Sequence, residues 1–199
     1  MNNFENIFFR QIIEITNNFD EENISKFVKH LKDFKDISGR LFFCGSGGGA
    51  GHASHAAADF RKLLNIESYS ITDNVSELTA RINDDGWDNS YKDYLASSRF
   101  NQKDGLFIFS VGGGSLNPPV SAQLINAANY AKKKKGTVFS IVGRDGGEIK
   151  KISDKCIVIP VVDEKYVTAH TEGFQAYLWH FLVSHPELNP EIPKWESVV

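Results

Sequence analysis

The sequence predicts an α/β fold, with a parallel sheet of about five strands covered by helices on both faces. Three observations lead there. Strand-like and helical segments alternate from residue 39 onward. Several strand segments are apolar on consecutive positions (LFFC, LFIFSV, TVFSIV, CIVIP), as a strand buried on both faces requires. The connections are short, and two that follow strands are rich in glycine.

The elements follow in order. Residues 1–38 read as a helical pair, with Phe4, Ile7, Phe8, Ile12, Ile15 and Phe19 at helical spacing, then Ile24, Phe27, Val28, Leu31 and Phe34. The α/β core occupies 39–187. Its strands are expected at 40–44, 68–72, 106–110, 137–142 and 156–160, and its helices at 49–64, 74–83, 117–135, 148–153 and 168–184. A tail, 188–199, follows. No repeat or linker divides the chain, so its 199 residues read as one domain. The lysine run Lys132–Lys135 ahead of Gly136 is a helix C-terminus, where cations offset the dipole and glycine ends the helix.

Composition narrows the function. A formal net charge of −3 gives no electrostatic footprint for nucleic acid or an anionic membrane. A small anionic substrate must then be held by local donors. Cys44 and Cys156 both sit in apolar runs and read as buried free thiols of a reducing compartment. The acidic, amphipathic N-terminus is unlike a signal peptide, and no apolar run reaches the roughly 20 residues that span a bilayer. A soluble, cytoplasmic protein is expected.

Chemistry should gather at the carboxyl ends of the strands. The first such loop is Cys44-Gly45-Ser46-Gly47-Gly48-Gly49-Ala50-Gly51, and the second is Ser110-Val111-Gly112-Gly113-Gly114-Ser115; each leads into a helix. Glycine lets backbone approach an anion, and a helix N-terminus offers unpaired N–H groups. No lysine follows the glycines, which disfavours a nucleoside-triphosphate loop.

The helix after the first loop carries His52, His55 and Asp59, with the last two spaced i, i+4 on one face. The last helix carries Glu172 and His180, eight residues apart and a little over two turns along one side. Two imidazoles and two carboxylates that converge can bind a divalent metal. They can also move a proton between adjacent carbons of a sugar. His52, His170 and His185 read as structural, although His170 lies close enough to Glu172 to compete for its role.

Taken together, these motifs resemble the phosphoheptose isomerases, members of the sugar isomerase (SIS) domain class, over about residues 39–185. The resemblance implies a flavodoxin-like sheet and a homotetramer with sites between subunits, often holding one zinc per site. CGSGG is similar to the family's CGNGG, which makes Ser46, Gly47 and Gly48 substrate contacts. Asn83 and Asp84 fall on its GND loop. Ser110, Val111, Gly112 and Ser115 fall on its STSGNS phosphate loop. His55 falls on a metal histidine, Asp59 on a glutamate that is base and metal ligand, Glu172 on a glutamine that is a metal and substrate ligand, and His180 on a histidine that is acid and metal ligand.

Three departures stand out: Asp59 is one methylene short of the family's glutamate, Glu172 adds a negative charge, and Val111 and Gly112 remove two hydroxyl donors. The function implied is aldose–ketose isomerisation of a phosphosugar, sedoheptulose 7-phosphate to a heptose 7-phosphate, with Asp59 and His180 as catalytic pair. The alternative is a non-catalytic SIS module that binds a phosphosugar or a protein partner. The loop 143–147 resembles the family's GKDGG turn and reads as structural.

Overall fold

The computed structural model describes residues 3–190. The last nine residues of the expected tail, 191–199, lie outside the described residues. Two helices, α1 (Phe4–Asn17) and α2 (Glu21–Asp36), open the chain. Side-chain oxygens of Asn3 and Asp20 accept from the Glu5 and Asn23 N–H groups and so cap their starts.

The core runs β1 (Leu41–Gly45), α3 (Gly48–Leu64), β2 (Ser68–Ser70), α4 (Val75–Asp85), α5 (Ser90–Ser97), β3 (Gly105–Ser110), the short pair β4 (Ser115–Leu116) and β5 (Pro119–Val120), α6 (Ala122–Lys133), β6 (Thr137–Val142), α7 (Gly147–Ile152), β7 (Lys155–Val158) and α8 (Val167–Ser184). Five strands form one parallel sheet in the order β2-β1-β3-β6-β7. The order reverses at β1 and β3, and the two glycine loops leave those neighbouring strands at the same end. That is a topological switch point, the place where open α/β sheets bind ligands.

Every residue of β1 and β3 is buried, as their unbroken apolar runs require. One face of the sheet packs Phe43, Phe107, Phe109 and Phe139 under α1, α2, α3 and α8. The other packs Phe42, Leu106, Ile108 and Val138 under α5, α6 and α7. Gln175 of α8 is fully buried, and its Nε2–H donates to the carbonyls of Ser110 (3.2 Å) and Ile141 (3.0 Å). This pins the last helix to the carboxyl ends of β3 and β6.

The strand expected at 156–160 ends at Val158, and three further departures from the sequence reading have plain causes. The helix expected from residue 117 begins at Ala122, because Pro118 and Pro119 belong to the β4–β5 hairpin. The strand expected to reach residue 72 ends at Ser70, and Asn74 caps α4 by accepting from the Glu77 N–H (3.2 Å). Helix α5 was not anticipated; it is one amphipathic turn pair that buries Tyr91 and Leu95 at i, i+4. Among the described residues, no helix is long and apolar enough to cross a membrane.

Candidate active site

Helices α3 and α8 pack against each other and bring together residues 120 positions apart. Asp59 is 8% exposed. Its Oδ2 lies 3.6 Å from His55 Nε2 and 3.6 Å from His180 Nε2. The buried Trp179 indole N–H donates to the same oxygen at 3.2 Å. The two imidazoles stand edge to face with centroids 5.4 Å apart.

His180 Nδ1 is 2.8 Å from the Ala176 carbonyl. A carbonyl only accepts, so Nδ1 carries the proton and, in the neutral ring, Nε2 presents a lone pair toward Asp59. At 3.6 Å the ring nitrogen and the carboxylate oxygen stand farther apart than in a direct hydrogen bond, a spacing at which the two can share a cation.

A metal ion is one such cation. One donor atom from each of His55, Asp59 and His180 lies within 4.8 Å of the other two. Tetrahedral zinc holds its ligand atoms about 3.3–3.5 Å apart, so the group has the size for it, and a three-residue set leaves a fourth position open. The His180 tautomer, fixed from behind by a backbone carbonyl, is the one a metal-binding imidazole uses.

Glu172 does not join this group. Eight residues of helix, about 12 Å, separate it from His180. Its carboxylate lies instead against the first glycine loop, where a Cβ at Gly48 would collide with it. There it neighbours His52. Burial lowers the His52 pKa, Glu172 acts to raise it, and Nε2 is buried with no hydrogen-bond partner among the described residues. His170 points elsewhere, with Nε2 2.8 Å from Gln11 Oε1 on α1.

The first loop wraps closely. Gly47 takes φ +56° ahead of α3, and Gly45 and Gly49 approach so nearly that a side chain on Gly45 would strike the Gly49 backbone. Ser46 Oγ accepts from the buried Gln123 of α6, and the Tyr91 hydroxyl donates to the Gly45 carbonyl at 2.8 Å. These two supporting residues were not singled out from the sequence, where nothing separates them from the other polar positions of α5 and α6.

In the second loop, Ser110 Oγ accepts from the Gly113 N–H (3.0 Å), and Ser115 Oγ accepts from the Asn117 N–H (3.2 Å). Gly113 and Gly114 take φ of +68° and +75°. The loop lies on the start of α7, whose Ile149 and Glu148 N–H groups donate to the Gly113 and Gly114 carbonyls (2.8 and 3.2 Å). The 143–147 turn is therefore one wall of this loop. It also brings a cation, because Arg144 Cδ lies 3.5 Å from where a Cβ on Gly112 would stand. The sequence reading gave Arg144 no role.

Asn83 and Asp84 fall at the end of α4, on helix rather than in a loop, and both are exposed. The Asn83 amide donates to Asp84 Oδ1 at 2.8 Å. No described contact joins them to the glycine loops or to the His/Asp group.

The family model described as "SIS domain" matches residues 7–143. The chain belongs to the SIS domain family.

Within that family, the chain is 34% identical over 162 residues to the lincomycin biosynthesis protein LmbN of Streptomyces lincolnensis, covering 78% of this chain and 58% of that protein. It is 37% identical over 127 residues to the phosphoheptose isomerase of Sulfurimonas denitrificans, covering 61% of each. The chain thus spans about three fifths of these two relatives. Among solved structures, it resembles a phosphoheptose isomerase from Francisella tularensis with TM-score 0.76 at 20% identity, covering 94% of this chain and 96% of that one. A phosphoheptose isomerase from Neisseria gonorrhoeae gives TM-score 0.74 at 24% identity, with 89% and 94% covered. These likenesses establish the SIS fold, as the sequence predicted.

Proposed function

We propose that this SIS-domain chain is an aldose–ketose isomerase of a phosphorylated sugar, with sedoheptulose 7-phosphate as first candidate substrate and a heptose 7-phosphate as product. The observation that carries the reading is the meeting of Asp59, His55 and His180 on two packed helices, one of which, α3, springs from the glycine loop at the switch point. The names of its relatives support the class and the sugar.

The second glycine loop, with Ser110, Val111, Gly112 and Ser115, holds the phosphate, assisted by Arg144. The first, with Ser46, Gly47 and Gly48, receives the sugar's hydroxyls, and Glu172 beside it accepts from them. Asp59 and His180 hold and move the proton: one takes it from C1 while the other protonates the C2 oxygen, giving the enediol, and the two then reverse roles, returning a proton to C2 and removing the one on O1. Zinc, one per site, would be held by His55, Asp59 and His180 and would polarise the sugar oxygens. Glu172 is too far along α8 to be counted with them.

The assembly is a homotetramer with sites between subunits. Asn83 and Asp84, remote from the His/Asp group of their own chain, then act on a neighbour's substrate. The outer face of α1 supports association: Phe9 and Ile13 are 63% and 61% exposed, and Tyr177 of α8 is 65% exposed. A cytoplasmic location follows from the isomerase reading.

The second reading, a phosphosugar-binding module without catalysis, draws on the two missing phosphate-loop hydroxyls at Val111 and Gly112. One experiment separates them: turnover of sedoheptulose 7-phosphate by the purified chain, after chelation and again with added zinc. Turnover establishes the isomerase. Binding without turnover, in folded protein, establishes the module.

A further inference from the structure

Trp179 occupies a place that packing alone does not explain. Its indole is 2% exposed and lies among three imidazoles, with centroids 5.0 Å from His52, 5.3 Å from His55 and 5.0 Å from His180. Phe109 of the sheet closes the remaining side at 5.8 Å. A phenylalanine would fill most of such a hole, short of the volume of the second ring. What it also lacks is the N–H, which here donates to the one Asp59 oxygen that both histidine Nε2 atoms face.

An aspartate at this position reaches one methylene less far than the glutamate of the resembling family. Its carboxylate turns about a broad, soft terminal torsion. Left alone, it would spend much of its time with neither oxygen between the imidazoles. A buried indole donor removes that freedom: satisfying the Trp179 N–H and placing Oδ2 at 3.6 Å from each histidine are the same rotation.

We infer that Trp179 is a positioning residue, whose indole N–H fixes the short Asp59 carboxylate between His55 and His180. The inference rests on the isomerase and metal-site reading above. It makes Asp59 and Trp179 a matched pair. Tryptophan is needed because the carboxylate is short, and a longer carboxylate would carry its oxygens past the indole.

The test is a double-mutant cycle on the full chain, with Trp179→Phe, Asp59→Glu and the double variant. Trp179→Phe keeps an aromatic ring in the hole and removes the donor together with one ring's volume, a packing loss common to both backgrounds that the cycle cancels. Two quantities are read: zinc affinity by calorimetry after chelation, and kcat and KM for sedoheptulose 7-phosphate. Far- and near-ultraviolet circular dichroism confirms folding.

Outer partners of metal ligands typically contribute 10- to 100-fold. The expected result is a loss of about tenfold in zinc affinity and in kcat for Trp179→Phe, with KM little changed. In the Asp59→Glu background the same substitution costs less than about twofold. Equal losses in both backgrounds would mean that Trp179 only packs, and would overturn the inference while leaving the site reading intact. Wild-type values in the single variant would do the same. Should Trp179→Phe not fold, Trp179→Tyr, which keeps ring bulk but cannot present a donor at the indole position, replaces it in the cycle. A wild-type chain that binds no zinc and turns over no sugar phosphate overturns the site reading, and this inference with it.

Discussion

At the level of single residues, the arrangement around Asp59 makes sharp demands. Asp59→Asn removes the charge between two imidazoles, and His180→Ala removes the ring whose Nε2 faces it. Either change should lower turnover of sedoheptulose 7-phosphate at least 100-fold, with circular dichroism unchanged. Unaltered turnover in either variant would withdraw that residue's role. Arg144 makes a different kind of claim. Its stem lies by Gly112, and its only described ion pair is a solvent-exposed contact with Glu164 at 3.7 Å, worth little in water. Arg144→Ala should therefore raise KM about tenfold, leave kcat nearly unchanged, and blunt the dependence of KM on salt, because phosphate would lose its charged donor. The sequence displayed the His/Asp pair as an i, i+4 spacing. It could not display the roles of Trp179 or Arg144, because each depends on a rotamer or a turn that meets its partner only after folding.

The elements show how these residues are held. The turn into α3 needs glycine at position 45, where a Cβ would meet the Gly49 backbone. Gly45→Ala should destabilise the fold by about 1–3 kcal/mol, as overpacking does, measured as a lower urea midpoint at unchanged m-value. The joint between α1 and α8 is polar at its centre: His170 bonds Gln11, whose Nε2–H donates to Asp163 Oδ2 at 2.8 Å. Burial lowers the His170 pKa more than Asp163 raises it. Its folded value thus lies below the unfolded one near 6.5, so this contribution to stability is complete above the unfolded value and is lost as pH falls through the folded value. Thermal melts of wild type should drop more steeply from pH 6.5 to 5 than melts of His170→Gln; parallel curves would refute it. The alternation of strands and helices was legible because strands buried on both faces leave uninterrupted apolar runs. Helix α5 was not, because its short amphipathic pattern lies in a polar stretch, and the β4–β5 hairpin was hidden by the helical pattern that follows it.

For the molecule as a whole, the decisive quantity is how copies associate. The apolar outer face of α1 and Tyr177 predict that Phe9→Lys together with Ile13→Lys shifts the protein to smaller species in sedimentation equilibrium, and that activity falls with it. Complementation probes shared sites directly. Asp59→Asn and Asp84→Asn chains, each inactive alone, should recover turnover when unfolded together and refolded as mixed assemblies. No recovery would return Asp84 to the exterior of α4, where one copy alone leaves it. Association was not legible in sequence patterns: the reading named the stripe that buries Ile15 and Phe27 and passed over Phe9 and Ile13, whose exposure only the folded helix displays.

Helix α8 also imposes a schedule on the chain. All five strands of the sheet and the glycine loops precede residue 160, yet two partners of Asp59, Trp179 and His180, arrive with a helix that spans Val167–Ser184. A nascent chain emerging at about 5–20 residues per second can therefore assemble its sheet before it owns a working centre. During that interval Phe109 and the inner side of α3 lack the cover that Trp179 provides. In refolding from denaturant, the far-ultraviolet signal of the sheet and helices should then appear ahead of catalytic activity, with activity tracking the moment Trp179 fluorescence, read in a chain with Trp87→Phe and Trp195→Phe, reaches its native value.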